Sequence, residues 1–393
     1  MACCLHGGTV TTIQIVVNGE AQCHHETGHI QLLDIHGDRY ADAQYLEGSI
    51  NLTSLIDLHN IQHLDLSNGE IPYQLGNISH LRYLDLSGNS FSGALPFQVG
   101  NLPFLHTLGL TENFDVKSKD AECFSNLYSL TILRLDYFYN LGSSHHWLQI
   151  NNKLFRNLRE LRLVDCFLSD NDLQSLFYSY SNFSSSLAIL DLSYNMLTSS
   201  SFQLLLNISL TLQELYLSHI VFSSSFFPSF PSLVILDLSY NNMTSSVFQD
   251  GFNFGSKLQN LNLQNCSLMD RSFLMSSTSV MNSSSSLVSL DLSFNLLKSS
   301  TIFYWLFNST TNLRSLHLDY NMLEEIPSFF GNMCRLQILD LSYNKLNGEI
   351  SSFIENSSWC NKHIFQRLDL YLLRLIENSI SRKVVIDSYS GED

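Results

Sequence analysis

The chain has 393 residues, of which 45% are hydrophobic and only 14% charged, and its 20 Lys plus Arg against 36 Asp plus Glu give a net charge of -16. That balance excludes a basic field able to hold a phosphate backbone, so no nucleic-acid partner is expected. No run of 18 consecutive apolar residues occurs, so no segment of this sequence reads as a membrane-spanning helix.

The N-terminal stretch MACCLHGGTVTTIQIVVNGEAQC has no Lys or Arg before Arg39, and its one apolar run, Ile13 to Val17, is interrupted by Gln14. It does not read as a secretory signal, which needs a basic start and a longer apolar stretch. Eight Cys in 393 residues are too sparse for a disulfide scaffold and show no paired C-x-x-C zinc spacing.

From Ile61 onward the chain repeats itself. The pattern L-x-x-L-x-L starts at Ile61 and returns at Leu81, Leu105, Leu130, Leu158, Leu187, Leu212, Leu233, Leu258, Leu287, Leu313 and Leu336. Spacings of 20 to 29 residues, averaging 25, match the leucine-rich repeat period. Weaker copies flank the array at Ile30 and Phe365. In LRYLDLSGNSF, Leu81, Leu84 and Leu86 should point inward while Arg82, Tyr83 and Asp85 face solvent. One unit cannot bury its own apolar face, so the units must stack. The expected fold class is an α/β repeat: a curved leucine-rich repeat solenoid with a parallel β-sheet on the concave face and irregular, 3-10 or short helical segments on the convex face.

Three residues after the last core Leu stands Asn at 89, 113, 195, 241, 295, 321 and 344, where a carboxamide can bond backbone groups left open as the chain turns out of the strand. Cys166 and Cys266 replace it in two units and read as buried, reduced residues; Gly69, Phe138 and Ile220 break the pattern.

The second halves of some units narrow the class. FSGALPFQVGNLPFL (Phe91 to Leu105), GEIPYQLGNISHL, EEIPSFFGNMCRL and LNGEI resemble the repeats of plant extracellular leucine-rich repeat proteins, in which Ile-Pro or Leu-Pro begins an extra short strand. TGHIQLLDIHGD (Thr27 to Asp38) resembles the cap-to-first-repeat junction of plant receptor-like proteins, and NSSWCNKHIFQRLDL (Asn356 to Leu370) resembles an inner repeat of their elicitor-receptor-like group. The resemblance covers residues 23 to 370. It implies a cell-surface receptor ectodomain at the plasma membrane, facing outward, that binds a protein or peptide elicitor in plant defence and signals through a co-receptor or adaptor kinase.

The chain departs from that plan in its Trp-less cap, in short units at Ile61 and Leu313, and in the sequence after Leu370, and so reads as truncated or internally deleted. The expected layout is a degenerate N-terminal cap at 1–29, a solenoid of about twelve to fourteen units at 30–370, and a non-repeat tail at 371–393. Cys4 with Cys23 resembles the family's cap disulfide. Cys334 and Cys360, 26 residues apart and about one repeat, are the expected disulfide in an oxidising compartment.

Neither a cofactor nor a metal site is expected. Cys23, His25 and His29 fall at the cap junction, and the adjacent His145 and His146 would face opposite ways in a strand. No G-x-S-x-G elbow, phosphate loop or kinase element occurs, so the chain does not read as an enzyme. Sequons occur at Asn51, Asn77, Asn182, Asn207, Asn242, Asn282, Asn308 and Asn356, and at Asn265, where a glycan would crowd the turn. Chance alone predicts about six, so the family resemblance rather than the count carries the glycoprotein reading.

The remaining candidate site is the concave face, read at Arg82, Tyr83, His106, Arg134, Arg159, Arg162, Glu214, Tyr216, Asn260, Asn262, Arg314 and His317. Each alone reads as solvated sheet surface. The run Arg134, Arg159 and Arg162 reads as an anion-seeking patch in an acidic chain. Two other functions compete with a receptor ectodomain: a secreted inhibitor of microbial cell-wall enzymes, and a non-functional truncated gene copy.

Overall fold

Each L-x-x-L-x-L unit folds as a three-residue strand centred on its second leucine. The computed structural model describes residues 20–23, 30–34, 62–65, 73–87, 97–111, 126–138, 141, 157–178, 186–221, 229–243, 257–272, 286–299, 312–326, 328–347 and 366–370. The chain divides into two units, Met1–Met196 and Leu197–Asp393.

In the first unit the described strands are β1 (Glu20–Cys23), β2 (Ile30–Asp34), β3 (His63–Asp65), β4 (Tyr83–Asp85), β5 (Thr107–Gly109), β6 (Ile132–Arg134), β7 (Glu160–Arg162) and β8 (Ile189–Asp191). β1 runs antiparallel to β2, and from β2 to β8 each strand pairs in parallel with the next. The second unit holds β9 (Glu214–Tyr216), β10 (Ile235–Asp237), β11 (Asn260–Asn262), β12 (Ser289–Asp291), β13 (Ser315–His317), β14 (Ile338–Asp340) and β15 (Arg367–Asp369), again parallel and in sequence order. Each unit is a parallel-sheet solenoid. All twelve repeats read from Ile61 to Leu336 supply a strand, as do the two flanking copies. β1 lies within the expected cap, while Cys4 and residues 371–393 lie outside the described residues.

The register explains the leucines. Central Leu pairs with central Leu from Leu64 through Leu84, Leu108 and Leu133 to Leu161, and again from Leu215 to Leu368. Nearly all are fully buried, each contributing about 2 kcal/mol of apolar transfer. From β4 to β14 the same stacking buries the Leu before and after each strand. Opposite the sheet, three G-N motifs close 3-10 turns at Tyr73–Asn77, Phe97–Asn101 and Ser328–Asn332, which plug the core with Leu75, Val99 and Phe330. Two α-helices are described, α1 (Asp170–Tyr178) and α2 (Phe202–Leu205). At the start of α1, the Ser169 N–H and hydroxyl donate to Asp172 Oδ2 at 2.8 and 2.6 Å, so the carboxylate closes the cap N–H as the third-position acid of a capping box does. Among the described residues no helix is long and apolar enough to cross a membrane.

Coils are tied together by the Asn that follows five of the described strands, while Asn89, Asn113 and Gly69 lie outside the described residues. Asn295 Nδ2 donates to Leu263 O of the preceding coil and to Leu292 O and Ser293 O of its own, while its Oδ1 accepts the N–H groups of Cys266 and Leu268. Asn195, Asn241, Asn321 and Asn344 repeat the arrangement. Cys166 and Cys266 keep the link to the preceding coil through the thiol, with Sγ lying 2.8 Å from Leu135 O and 3.1 Å from Leu238 O. Both thiols are free and buried. Burial pushes both upward, Cys266 to about 12. Phe138 and Ile220, which break the Asn pattern in the sequence, do not break the coil. Both are buried, and the Ile220 N–H is still accepted by Asn241 of the following coil.

The residue before this clamp adopts a left-handed backbone, with φ of 61° at Tyr194, 57° at Tyr240, 56° at Phe294, 52° at Tyr320 and 55° at Tyr343. For a residue with a side chain this costs about 1–2 kcal/mol. Bonds to the next coil offset the cost: the Tyr320 N–H donates to Ser342 O and the Phe294 N–H to Asp319 O. The exposed rings stack, with centroids 4.2 Å apart for Phe294 and Tyr320 and 4.1 Å for Tyr320 and Tyr343.

Two outcomes follow. Asn295→Ala strands buried N–H and C=O groups on two coils and should cost about 3 kcal/mol in urea unfolding, whereas Asn242→Ala, at an exposed site, should cost less than about 0.5 kcal/mol. A thiol reagent should leave Cys166 and Cys266 unmodified in the folded protein and label both after denaturation, as read by peptide mass mapping.

Candidate ligand-binding face

In an x-L-x strand the central Leu faces the core, so the two flanking side chains share the opposite face. Parallel in-register pairing then stacks them in two columns about 4.8 Å apart per coil. The column at the strand ends carries an Asp that recurs at 65, 85, 191, 237, 291, 340 and 369.

This Asp has a local task. Oδ1 of Asp191, Asp237, Asp291 and Asp340 accepts the N–H of the Ser two residues on, at 2.8 to 3.0 Å, and Asn262 does the same for the Gln264 N–H. The sequence LDLS therefore encodes a turn in which one carboxylate oxygen is committed and the other faces the sheet surface. Gly109 occupies the same column because a Cβ there would come within 2.8 Å of Asp85 Oδ1.

In the first unit, Glu160 at the start of β7 lies between two arginines. Arg134 Nε donates to Glu160 Oε1 at 2.9 Å, Arg162 Nε donates to the same oxygen at 2.7 Å, and Arg162 Nη1 lies 3.7 Å from Asp191 Oδ2. Glu160 is only 7% exposed. Burial by itself would raise its pKa, but hydrogen bonds and charge from Arg134 and Arg162 outweigh that and hold the carboxyl below the ordinary glutamate value. Nearby Asp136 goes the other way. Burial first, and then Asp191, push it up to about 6, against the opposing bond from the Val164 N–H and the charges of Arg162 and Arg134.

The expected basic run is therefore a mixed-charge cluster. Two of its three guanidinium groups already share a carboxylate, and exposed Arg159 stands just before β7. Among the other expected face residues of this unit, Arg82 and His106 are exposed, and the half-buried Tyr83 donates its hydroxyl to Asp85 Oδ2 at 3.2 Å.

In the second unit, the Tyr216 hydroxyl donates to Glu214 Oε2 at 2.9 Å and Asn262 Nδ2 to Asp237 Oδ2 at 3.0 Å. Asn260 is half-buried beside them and Arg314 is exposed. His317 Nε2 lies 2.9 Å from Ser315 Oγ. One donor atom each from His317, Asp319 and Asp340 lies within 4.8 Å of the others. Burial, then Asp340, raise Asp319 to about 6, helped by Asp291 and opposed by His317. Sequence reading selected His317 but neither aspartate, because residues 319 and 340 meet only through the parallel register of β13 with β14.

Cys334 is disulfide-bonded; Cys360, its expected partner, lies outside the described residues. Asn77 and Asn242 are exposed, as is Asn265 in its left-handed turn. Asn51, Asn182, Asn282, Asn308 and Asn356 lie outside the described residues, as do His25, His29, His145 and His146. The exposure of Asn207 likewise falls outside them.

Titration of the Arg–Glu cluster has a definite sign. Between about pH 4 and about pH 6 the folded state holds a proton on Asp136 that the unfolded chain has lost, so stability falls as pH rises through that window. Asp136→Asn keeps an oxygen for the Val164 N–H and should raise stability at pH 7 by about 1–2 kcal/mol while flattening this dependence. Glu160, whose folded pKa is lowered, stabilises at neutral pH and loses that contribution on acidification, so Glu160→Gln should be destabilising at pH 7. Urea midpoints measured from pH 4 to 7 check both signs.

Comparison with known proteins agrees with this architecture. The Leucine Rich Repeat family model matches residues 80–102, and a two-copy Leucine Rich repeats model matches residues 311–355. The tomato (Solanum lycopersicum) receptor-like protein EIX1 is 32% identical over 164 residues, 38% of this chain and 15% of EIX1. Tomato receptor-like protein EIX2 is 37% identical over 82 residues, 18% of this chain and 8% of EIX2. The matched stretches thus span a small part of either relative. Among solved structures, the Toll–Spätzle complex of Drosophila superposes with a TM-score of 0.53 at 20% identity, covering 76% of this chain and 38% of that one. A leucine-rich repeat protein of Leptospira interrogans gives 0.51 at 22% identity, covering 79% and 81%. The chain folds as a leucine-rich repeat solenoid within each unit, and in sequence it resembles the plant receptor-like proteins.

Proposed function

We propose that this chain is the ligand-binding part of a plant receptor-like ectodomain, and that it holds a protein or peptide elicitor of defence signalling on the solvent-facing columns of its parallel sheet. The observation that carries the reading is the Arg134–Glu160–Arg162–Asp191 cluster. It is an ordered set of charged groups held by strand register on a rigid sheet, on the face the core does not use. Guanidinium groups aligned by a shared carboxylate hold their planar N–H forks in fixed directions, which suits a partner carrying carboxylate and amide groups. Sequence similarity to EIX1 and EIX2 supports the receptor-like setting. On this reading the protein binds and does not catalyse, and its signalling passes through a co-receptor or adaptor kinase at the plasma membrane. The disulfide between Cys334 and Cys360, the cap pair Cys4 and Cys23, and glycans on the exposed sequons belong to the same extracellular setting.

The test uses the purified chain to select from a displayed random peptide library. Selected peptides should bind the Arg159→Ala and Arg162→Ala variants more weakly by about 1–2 kcal/mol per residue, as for side chains central to an interface. Lys298→Ala, away from the strands, should leave binding unchanged. Equal binding to wild-type and both Arg variants would show that this face does not take the ligand.

A further inference from the structure

A second feature, independent of peptide binding, lies on β13 and β14. His317 ends β13, Asp319 follows it two residues later, and Asp340 ends β14, directly beside His317 in the parallel register. One donor atom from each lies within 4.8 Å of the others, a separation that small side-chain rotations close onto a common ion at about 2.0–2.2 Å from each ligand.

The supporting groups fit that role. Ser315 Oγ lies 2.9 Å from His317 Nε2 and fixes the ring, as partners of a ligating imidazole do. Ser342 donates its N–H at 3.0 Å and its hydroxyl at 2.6 Å to Asp340 Oδ1, orienting that carboxylate and leaving Oδ2 for the ion. Charge argues the same way. Asp291 and Asp369 flank the trio in the same column, on β12 and β15, so four carboxylates crowd three successive strand gaps. Against them stands Arg367, whose Nη2 is 3.4 Å from Asp369 Oδ2 and 3.9 Å from Asp340 Oδ2. Among the described residues, one guanidinium set against four carboxylates leaves an excess of negative charge that a divalent cation would neutralise.

We propose that His317, Asp319 and Asp340 form a binding site for a first-row divalent cation of the zinc class. One imidazole nitrogen with two carboxylate oxygens suits such a borderline ion better than calcium or magnesium, which favour all-oxygen shells. Water completes the coordination, because the site opens on the solvent-facing side of the sheet. Arg367 is the internal competitor, displaced from Asp340 as the ion enters.

The test is calorimetric titration of Zn2+ into the full chain at pH 7, with Co2+ absorption as a second readout of the ligand set. Expected is saturable uptake that weakens about 100-fold in both His317→Gln and Asp340→Asn, beyond the loss of an orienting partner alone. Arg367→Ala should tighten it. Asp340→Asn keeps an oxygen for Ser342, and both variants should melt with the wild type in the presence of EDTA; should either fail to fold, Asp319→Asn replaces it under the same criterion. No saturable Zn2+ uptake, unchanged affinity in the variants, or tighter binding of Ca2+ than of Zn2+ would overturn the proposal.

Discussion

The structure rests on a carboxamide that five of the described coils place at the same turn, at Asn195, Asn241, Asn295, Asn321 and Asn344. An Asn placed three residues after the last strand-proximal Leu satisfies carbonyls on its own coil and both carbonyls and N–H groups on the coil before it. Neither coil can close its turn without the other, so stability within each unit is a nearest-neighbour property. The Leu core supplies the apolar free energy. The Asn clamp supplies the register, and register decides which polar side chains become neighbours on the sheet surface.

That surface therefore inherits its chemistry from a structural device. The recurring Asp commits one oxygen to the turn after each strand and presents the other outward, which makes the face acidic wherever the motif is unmodified. Substitutions in that column change its character locally. Arg134 and Arg162 convert part of the first unit into a mixed-charge cluster around Glu160, and His317 inserts an imidazole among carboxylates in the second. The proposed partner binding rests on the paired arginines of the first unit, and the proposed cation site on His317 in the second.

Much of the fold was legible in the sequence because it depends on short-range pattern. The period of L-x-x-L-x-L located every strand from Ile61 to Leu336, and the Asn position three residues on located the clamps at 195, 241, 295, 321 and 344, Asn89 and Asn113 lying outside the described residues. Cys166 and Cys266 were readable as small buried stand-ins for Asn. Phe138 and Ile220 were harder, since the letter pattern registers them as breaks although an apolar side chain fills the same inward site. Site chemistry was less legible, because it lies between strands. Arg134 at the end of β6 meets Glu160 at the start of β7 across 26 residues, and His317 meets Asp340, both at strand ends, across 23, and only strand-to-strand register reveals either pairing. Listing Arg134, Arg159 and Arg162 as a basic run found the right place and missed the carboxylate that organises it.

The left-handed residues before the clamps give the second unit an unplanned optical property. Phe294, Tyr320 and Tyr343 come from three successive coils and lie nearly parallel, with interplanar angles of 10 and 11°. Rings so close and so aligned couple their electronic transitions, so the near-ultraviolet circular dichroism of this row reports contact between coils rather than the environment of any one ring. The facing sides of adjacent rings are sealed against one another, and the Tyr320 and Tyr343 hydroxyls are hydrogen-bonded to each other. The row thus acts as a spine whose spectrum would fade as soon as neighbouring coils part, even while the strands within each coil persist.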